Sequence, residues 1–196
     1  MLNNKTNKNQ RSYQNYQNSH PQKKRGAFFV RIDTVDNSDE WIPQRANYTD
    51  AGFDLKARAF CVPGNDKEHE KYIIEPDETI LVKAGFRIEL RPGWEAQIRS
   101  RSGLALNNGV FVLNAPGTID CGYRNEVGII LTNIGEDNFE VKRGDRLAQM
   151  VVTKIPHVKL NHVAKINEDT KRGQNGFGST GYTQYSNSSF NEDDEE

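Results

Sequence analysis

Short apolar runs broken by Gly, Pro, Asn and Asp recur along the middle of the chain. AFFVRID (27–33), TILVKAGFRIEL (79–90), WEAQIRS (94–100), GVFVL (109–113), EVGIILTN (126–133) and LAQMVVTKI (147–155) are rich in β-branched and aromatic residues. Runs of this length at regular spacing, with turn residues between them, predict an all-β sandwich or barrel. Helical periodicity is weak throughout, and Ala105–Asn108 after Gly103 reads at most as a short helix or turn. No internal repeat is visible. After Ile155-Pro156 the chain becomes polar, and from Lys171 it becomes Gly-rich, which predicts an arm leaving the core.

Composition changes this picture chiefly at the two ends. The chain of 196 residues has a formal net charge of −1. Residues 1–26 carry six Lys or Arg and no acid, and ten of them are Asn or Gln. Residues 182–196 carry five acids and no base, so the remainder sums to −2. The expected layout is a disordered basic tail (1–26), a β core (27–160), an arm with a Gly-rich motif (161–181) and a disordered acidic tail (182–196). The basic tail reads as a solvated segment, with nucleic-acid contact the less favoured alternative. The sequence contains neither an eighteen-residue apolar span nor an apolar N-terminal leader, so no membrane contact is expected. Cys61 and Cys121 have no CxxC spacing, which speaks for a reducing cytoplasm, a host's if the source is viral. His20, His69, His157 and His162 show no metal-ligand spacing and read as surface residues.

Five segments carry candidate chemistry. In AGFDLKA (51–57), Asp54 is either a functional carboxylate or an outward-facing strand residue. RSRSGLA (99–105) offers forked donors from Arg101, a hydroxyl from Ser102 and a turn at Gly103, a set suited to phosphate. A charged edge strand entering a turn would look the same. GTIDCGYRNE (117–126) places Asp120 beside a Cys-Gly step, where a carboxylate could take a proton from water. Tyr123 three residues on offers a flat face, although a turn-stabilising Asp and a half-buried Tyr fit equally. RGDRLAQ (143–149) reads as a hairpin turn into a strand whose Gln149 needs polar partners. RGQNGFGSTG (172–181) resembles a phosphate loop without the P-loop lysine. The large Phe177 among its glycines argues against a plain linker.

In this order the five segments resemble the five motifs of the trimeric dUTPase family, over roughly residues 27–181. The resemblance implies a distorted β jelly roll, the β-clip fold, and a homotrimer whose sites each draw on all three chains. It implies hydrolysis of dUTP to dUMP and pyrophosphate, which keeps uracil out of DNA and supplies dUMP. Carried onto this chain, it makes Asp120 the general base and Gln149 a contact of the water and phosphates. Arg101, Ser102 and Gly103 then belong to the phosphate-binding motif. Asn114 with Gly117, Thr118 and Ile119 forms the uracil hairpin, and Tyr123 is the platform that excludes a ribose 2′-OH. Arg172, Gly178, Ser179 and Thr180 belong to the arm's γ-phosphate motif, Phe177 stacks on uracil, and Asp54 is a structural partner for Arg172 across an interface. Mg²⁺ is implied as the cofactor, held mainly through the substrate's phosphates with no direct protein ligand. Ser100 and Asn125 depart from the commonest pattern, where many relatives have Pro and Gly. The segment 61–75 is longer than in compact relatives and has no functional account from sequence. The rivals are a dCTP deaminase-like enzyme, which lacks the Asp120–Tyr123 arrangement, and a non-catalytic nucleotide sensor, which would not need every reacting position filled.

Overall fold

The computed structural model describes residues 29–170 and 172–174. The basic tail, the acidic tail and the arm residues Phe177, Gly178, Ser179 and Thr180 lie outside the described residues. The described part divides at His157/Val158 into two units.

The first unit is built from twelve strands. They are β1 (Arg31–Thr34), β2 (Phe53–Lys56), β3 (Ala59–Cys61), β4 (Lys71–Ile74), β5 (Thr79–Lys83) and β6 (Phe86–Glu89), followed by β7 (Trp94–Ser100), β8 (Val110–Val112), β9 (Gly117–Ile119), β10 (Gly128–Asn133), β11 (Phe139–Lys142) and β12 (Arg146–Lys154). One α-helix, α1 (Ser102–Asn108), follows β7. One four-stranded sheet has the order β3-β5-β10-β8 and another β2-β12-β7-β9, with two ribbons, β1-β6 and β11-β4. All pairings are antiparallel.

The predicted apolar runs became strands because alternate residues meet one core. In β5, Ile80 and Val82 are buried between half-buried neighbours, and in β7 Ala96 and Ile98 are buried on either side of half-buried Gln97. These side chains join Leu55, Phe60, Phe86, Ile129, Leu131 and Met150 in a single buried cluster. The run 79–90 is two strands, because Gly85 stands at φ 79° and a Cβ there would strike the Trp41 ring. Only glycine meets both demands cheaply.

Two expected hairpins are corners instead. The turn at Lys142–Asp145 is present, closed by the Asp145 N–H donating to the Lys142 carbonyl at 3.0 Å. Its flanking strands part company, β11 joining β4 while β12 lies between β2 and β7. Likewise β8 joins β10 and β9 joins β7, so residues 113–116, with a cis Ala115–Pro116 bond, carry the chain from one sheet to the other. Ser100 ties this corner down, its hydroxyl accepting the Val112 N–H at 3.0 Å. Proline at this position could not do this, having no hydroxyl. His157 and His162 are exposed, whereas His69 is half-buried and meets Tyr72 edge-on at 6.0 Å.

A charged cluster lies at one end of the β3-β5-β10 edge. Arg58 binds Glu68 (2.7 and 2.8 Å) and Glu126 (2.9 and 3.0 Å), and Lys83 binds Glu68 at 2.8 Å. Hydrogen bonds from Arg58, then from Lys83, hold the Glu68 carboxyl down from 4.5 to about 2. A depressed carboxylate adds stability that is complete above its unfolded value and lost as pH falls through its folded one. The thermal midpoint is therefore expected to fall as acidity passes from pH 4.5 towards about 2. Glu68→Gln should flatten that part of the Tm–pH curve; an unchanged curve would exclude the pair as a source of acid sensitivity.

Candidate active site

Strand pairing gathers four of the five motifs into the β2-β12-β7-β9 sheet. Gln149 on β12 lies opposite Asp54 on β2 and Arg99 on β7. Gly117 and Thr118 on β9 lie opposite Ile98 and Gln97. The register shifts between Arg146 and Ala148, and Leu147 and Ala148 are both buried. Beyond that irregularity Gln149 is half-buried between buried Ala148 and Met150, so it faces away from the core side that holds them.

Arg101, Ser102, Gly103, Asn107, Gln149 and Asp54 line a cleft of about 450 Å³ where β7 runs into α1. The Gln149 amide donates to the Ser100 carbonyl at 2.9 Å. Its Oε1 lies against the Gly52 Cα, where any Cβ would overlap it. Glycine in the first motif thus makes room for the glutamine of the fourth. Gly52→Ala is expected to displace this amide and lower turnover about tenfold or more, while sedimentation shows an unchanged assembly. Full activity in that variant would mean that Gln149's position is unimportant.

Asp54 is clasped within its own chain. Arg146 Nη1 binds one carboxylate oxygen at 2.8 Å and Arg101 Nε approaches the other at 3.4 Å. Arg101 Nη1 also donates to the Arg146 carbonyl at 2.6 Å. The carboxylate orients two guanidiniums, Arg101 in the cleft and Arg146 next to it, and Arg146 is a residue to which the sequence alone assigned no role. Its only signal was its place beside Gln149 in the fourth motif. Gly103 sits in the first turn of α1 with open space where a Cβ would be. Neither strain nor packing requires glycine there, and glycine costs a helix roughly 0.5–1 kcal/mol relative to alanine. The space it leaves suits close approach of a ligand.

The third motif occupies the other end of the sheet. Asp120 is exposed just past β9, and its carbonyl accepts the Tyr123 N–H at 3.1 Å, forming the expected tight turn. The Tyr123 hydroxyl donates to the Glu126 carbonyl at 2.9 Å, which fixes a ring left 36% exposed. Asn114 is exposed in the corner, its amide against Gly117. Extending the Ala96–Ile119 pair by one step sets Asp120 level with Glu95, five residues from Ser100. At about 3.3 Å per residue that is roughly 17 Å. Within one chain, then, Asp120 stands far from Ser102 and Gln149. Arg172 is exposed, in a turn where the Gly173 N–H donates to the Thr170 carbonyl at 3.0 Å.

Among the described residues, no group of three or more His, Cys, Asp or Glu could hold a metal ion. The donors at the cleft, guanidinium, hydroxyl and amide, suit phosphate oxygens, and a cation would reach them carried on those phosphates.

The sheets define a distorted jelly roll. The sequence model of the dUTPase family matches residues 39–181. The deoxyuridine 5′-triphosphate nucleotidohydrolase of Clostridium tetani is 50% identical over 143 residues, 73% of this chain and 90% of that protein. The dUTPase of Staphylococcus bacteriophage 80alpha, solved with dUPNHPP, superimposes with a TM-score of 0.66 at 23% identity, over 79% of this chain and 99% of its own. A mutant dUTPase from phage phi11 of S. aureus, whose structure is said to reveal the coordination of a structural Mg(II) ion, gives 0.58 at 21% identity, over 70% and 98%. This chain belongs to the dUTPase family.

Proposed function

We propose that the protein hydrolyses dUTP to dUMP and pyrophosphate, at sites shared between subunits of a homotrimer. The observation that carries the reading is the cleft at Ser102 and Gln149, a set of donors suited to phosphate, with empty space at Gly103 and two oriented guanidiniums beside it. Water attacks the α-phosphorus, Asp120 takes its proton, the bond to the bridging oxygen breaks and pyrophosphate leaves. Ser102, Arg101 and Gln149 hold the phosphates, and the corner from Asn114 to Ile119 receives uracil. Tyr123 packs under the deoxyribose, where a 2′-OH has no room. Arg172, Ser179 and Thr180 reach the γ-phosphate from the arm, with Phe177 on the base. Mg²⁺ on the phosphates would offset charge on the leaving group. The mutant dUTPase of phage phi11 is said to coordinate a structural Mg(II) ion. Two free cysteines, Cys61 and Cys121, agree with a cytoplasmic enzyme, and no helix among the described residues is long and apolar enough to cross a membrane.

The separation of Asp120 from Ser102 along the sheet supports the shared site, since both must reach one α-phosphate. The test mixes two inactive variants, Asp120→Asn and Ser102→Ala, unfolded and refolded together. Random assembly leaves about a quarter of the sites with both residues intact, and activity should return to about that fraction. No recovery would mean a site within one chain. Pyrophosphate and ammonia are measured with dUTP and dCTP in parallel; ammonia from dCTP would replace this reading with a deaminase.

A further inference from the structure

The segment Val62–Glu70 folds back on its own strand. A turn closes from the Asn65 N–H to the Val62 carbonyl at 2.9 Å, and His69 pairs with Phe60 through two hydrogen bonds of 2.9 Å. This brings Glu68 over Arg58. The Arg58 guanidinium then spends four of its five N–H donors on two carboxylates, Glu68 on one side and Glu126 on the other. The side chains of Arg58 and Glu126 are only 13% and 14% exposed. Glu126 also accepts the Gly85 N–H at 2.8 Å. With Lys83, the cluster is two cations and two anions.

Glu126 ends the loop that carries the reacting groups. Its carbonyl accepts the Tyr123 hydroxyl, and its N–H donates to the Asn125 side chain at 2.8 Å. Most other bonds of this loop are internal: Tyr123 N–H to Asp120, and Arg124 to the carbonyls of Cys121 (2.7 Å) and Tyr123 (2.8 Å). A loop closed on itself keeps its shape; Cys121 packs it on the core, Val127 bonds to Phe86 and Ala84 at its end, and the Glu126 carboxylate adds a side-chain tether to Arg58 and Gly85. We propose that Glu68, Arg58 and Glu126 act in series as positioning residues, the 62–70 segment holding the Tyr123 ring and Asp120 in register with the substrate. This rests on the roles given above to Tyr123 and Asp120. It also supplies a function for the segment, as a strut behind the reacting loop.

The test compares full-length wild type with Glu68→Gln, Arg58→Ala and Tyr123→Ala. Each is assayed with dUTP and UTP well below its thermal midpoint, and hydrogen exchange is followed at the amides of 120–127. Tyr123→Ala sets the scale for lost sugar discrimination. Arg58→Ala is expected to lower the dUTP-over-UTP ratio of kcat/KM about tenfold or more, with faster loop exchange. Glu68→Gln keeps the size of the side chain and should shift both readouts the same way by a smaller factor. It carries the test alone if Arg58→Ala does not fold. A lowered thermal midpoint with ratio and exchange both unchanged would make the cluster mere scaffold and overturn the proposal. If wild type does not hydrolyse dUTP, the functional reading fails on its own, and loop exchange alone then decides whether the strut exists.

Discussion

Asp120→Asn is expected to leave the fold, the assembly and nucleotide binding intact while removing most turnover. The turn at Asp120 is held by its backbone carbonyl, which accepts the Tyr123 N–H, so the substitution keeps the local structure. The side chain is exposed, so replacing carboxylate by amide disturbs no core packing. What disappears is the acceptor for the water's proton, a contribution of about 10²–10⁴-fold to rate. Calorimetry with a non-hydrolysable dUTP analogue should give near wild-type affinity beside a rate lowered by that factor. Turnover at the wild-type level would take Asp120 out of the reaction.

Truncation after Lys171 is the second large effect. Every buried hydrophobic residue among the described ones lies between Trp41 and Met150, within the first unit. The core should therefore fold and assemble without the arm. The fifth motif, Arg172–Gly181, would be gone, and with it the donors to the γ-phosphate and the Phe177 ring. A site left open to water weakens each electrostatic contact inside it. We expect kcat to fall by orders of magnitude and dUMP affinity to change less, because dUMP has no γ-phosphate. Phe177→Ala alone should be milder, a stacked aromatic being worth roughly 1–3 kcal/mol. Full activity in the truncated protein would reduce the Gly-rich segment to a linker.

These two experiments bear on residues read directly from local sequence, and the reason they were readable is physical. Turn residues and alternating apolar positions act over a few neighbours, so β7, β8, β10 and β12 were visible to within a residue or two. The motifs are equally local: a Gly beside hydroxyls and guanidiniums signals anion chemistry whatever surrounds it. The short strands β3, β4, β9 and β11 were not singled out, because three or four residues with few consecutive apolar positions hold too little periodicity to register.

Sequence alone thus determined the class of fold and the family, and it nominated the residues to which the proposal gives chemical roles. Tertiary structure decided which of them meet. Strand pairing set Gln149 between Asp54 and Arg99, residues far apart in the chain, and the same register carried Asp120 to the other end of the sheet. It turned two apparent hairpins into corners between sheets, since the strands flanking each turn pair with strands of different sheets. It gave Asp54 two arginines of its own chain, brought Gly52 under Gln149, and joined Glu68 to Glu126 through Arg58. Contacts of that kind depend on how the chain returns upon itself, and no local pattern of polar and apolar residues encodes the return.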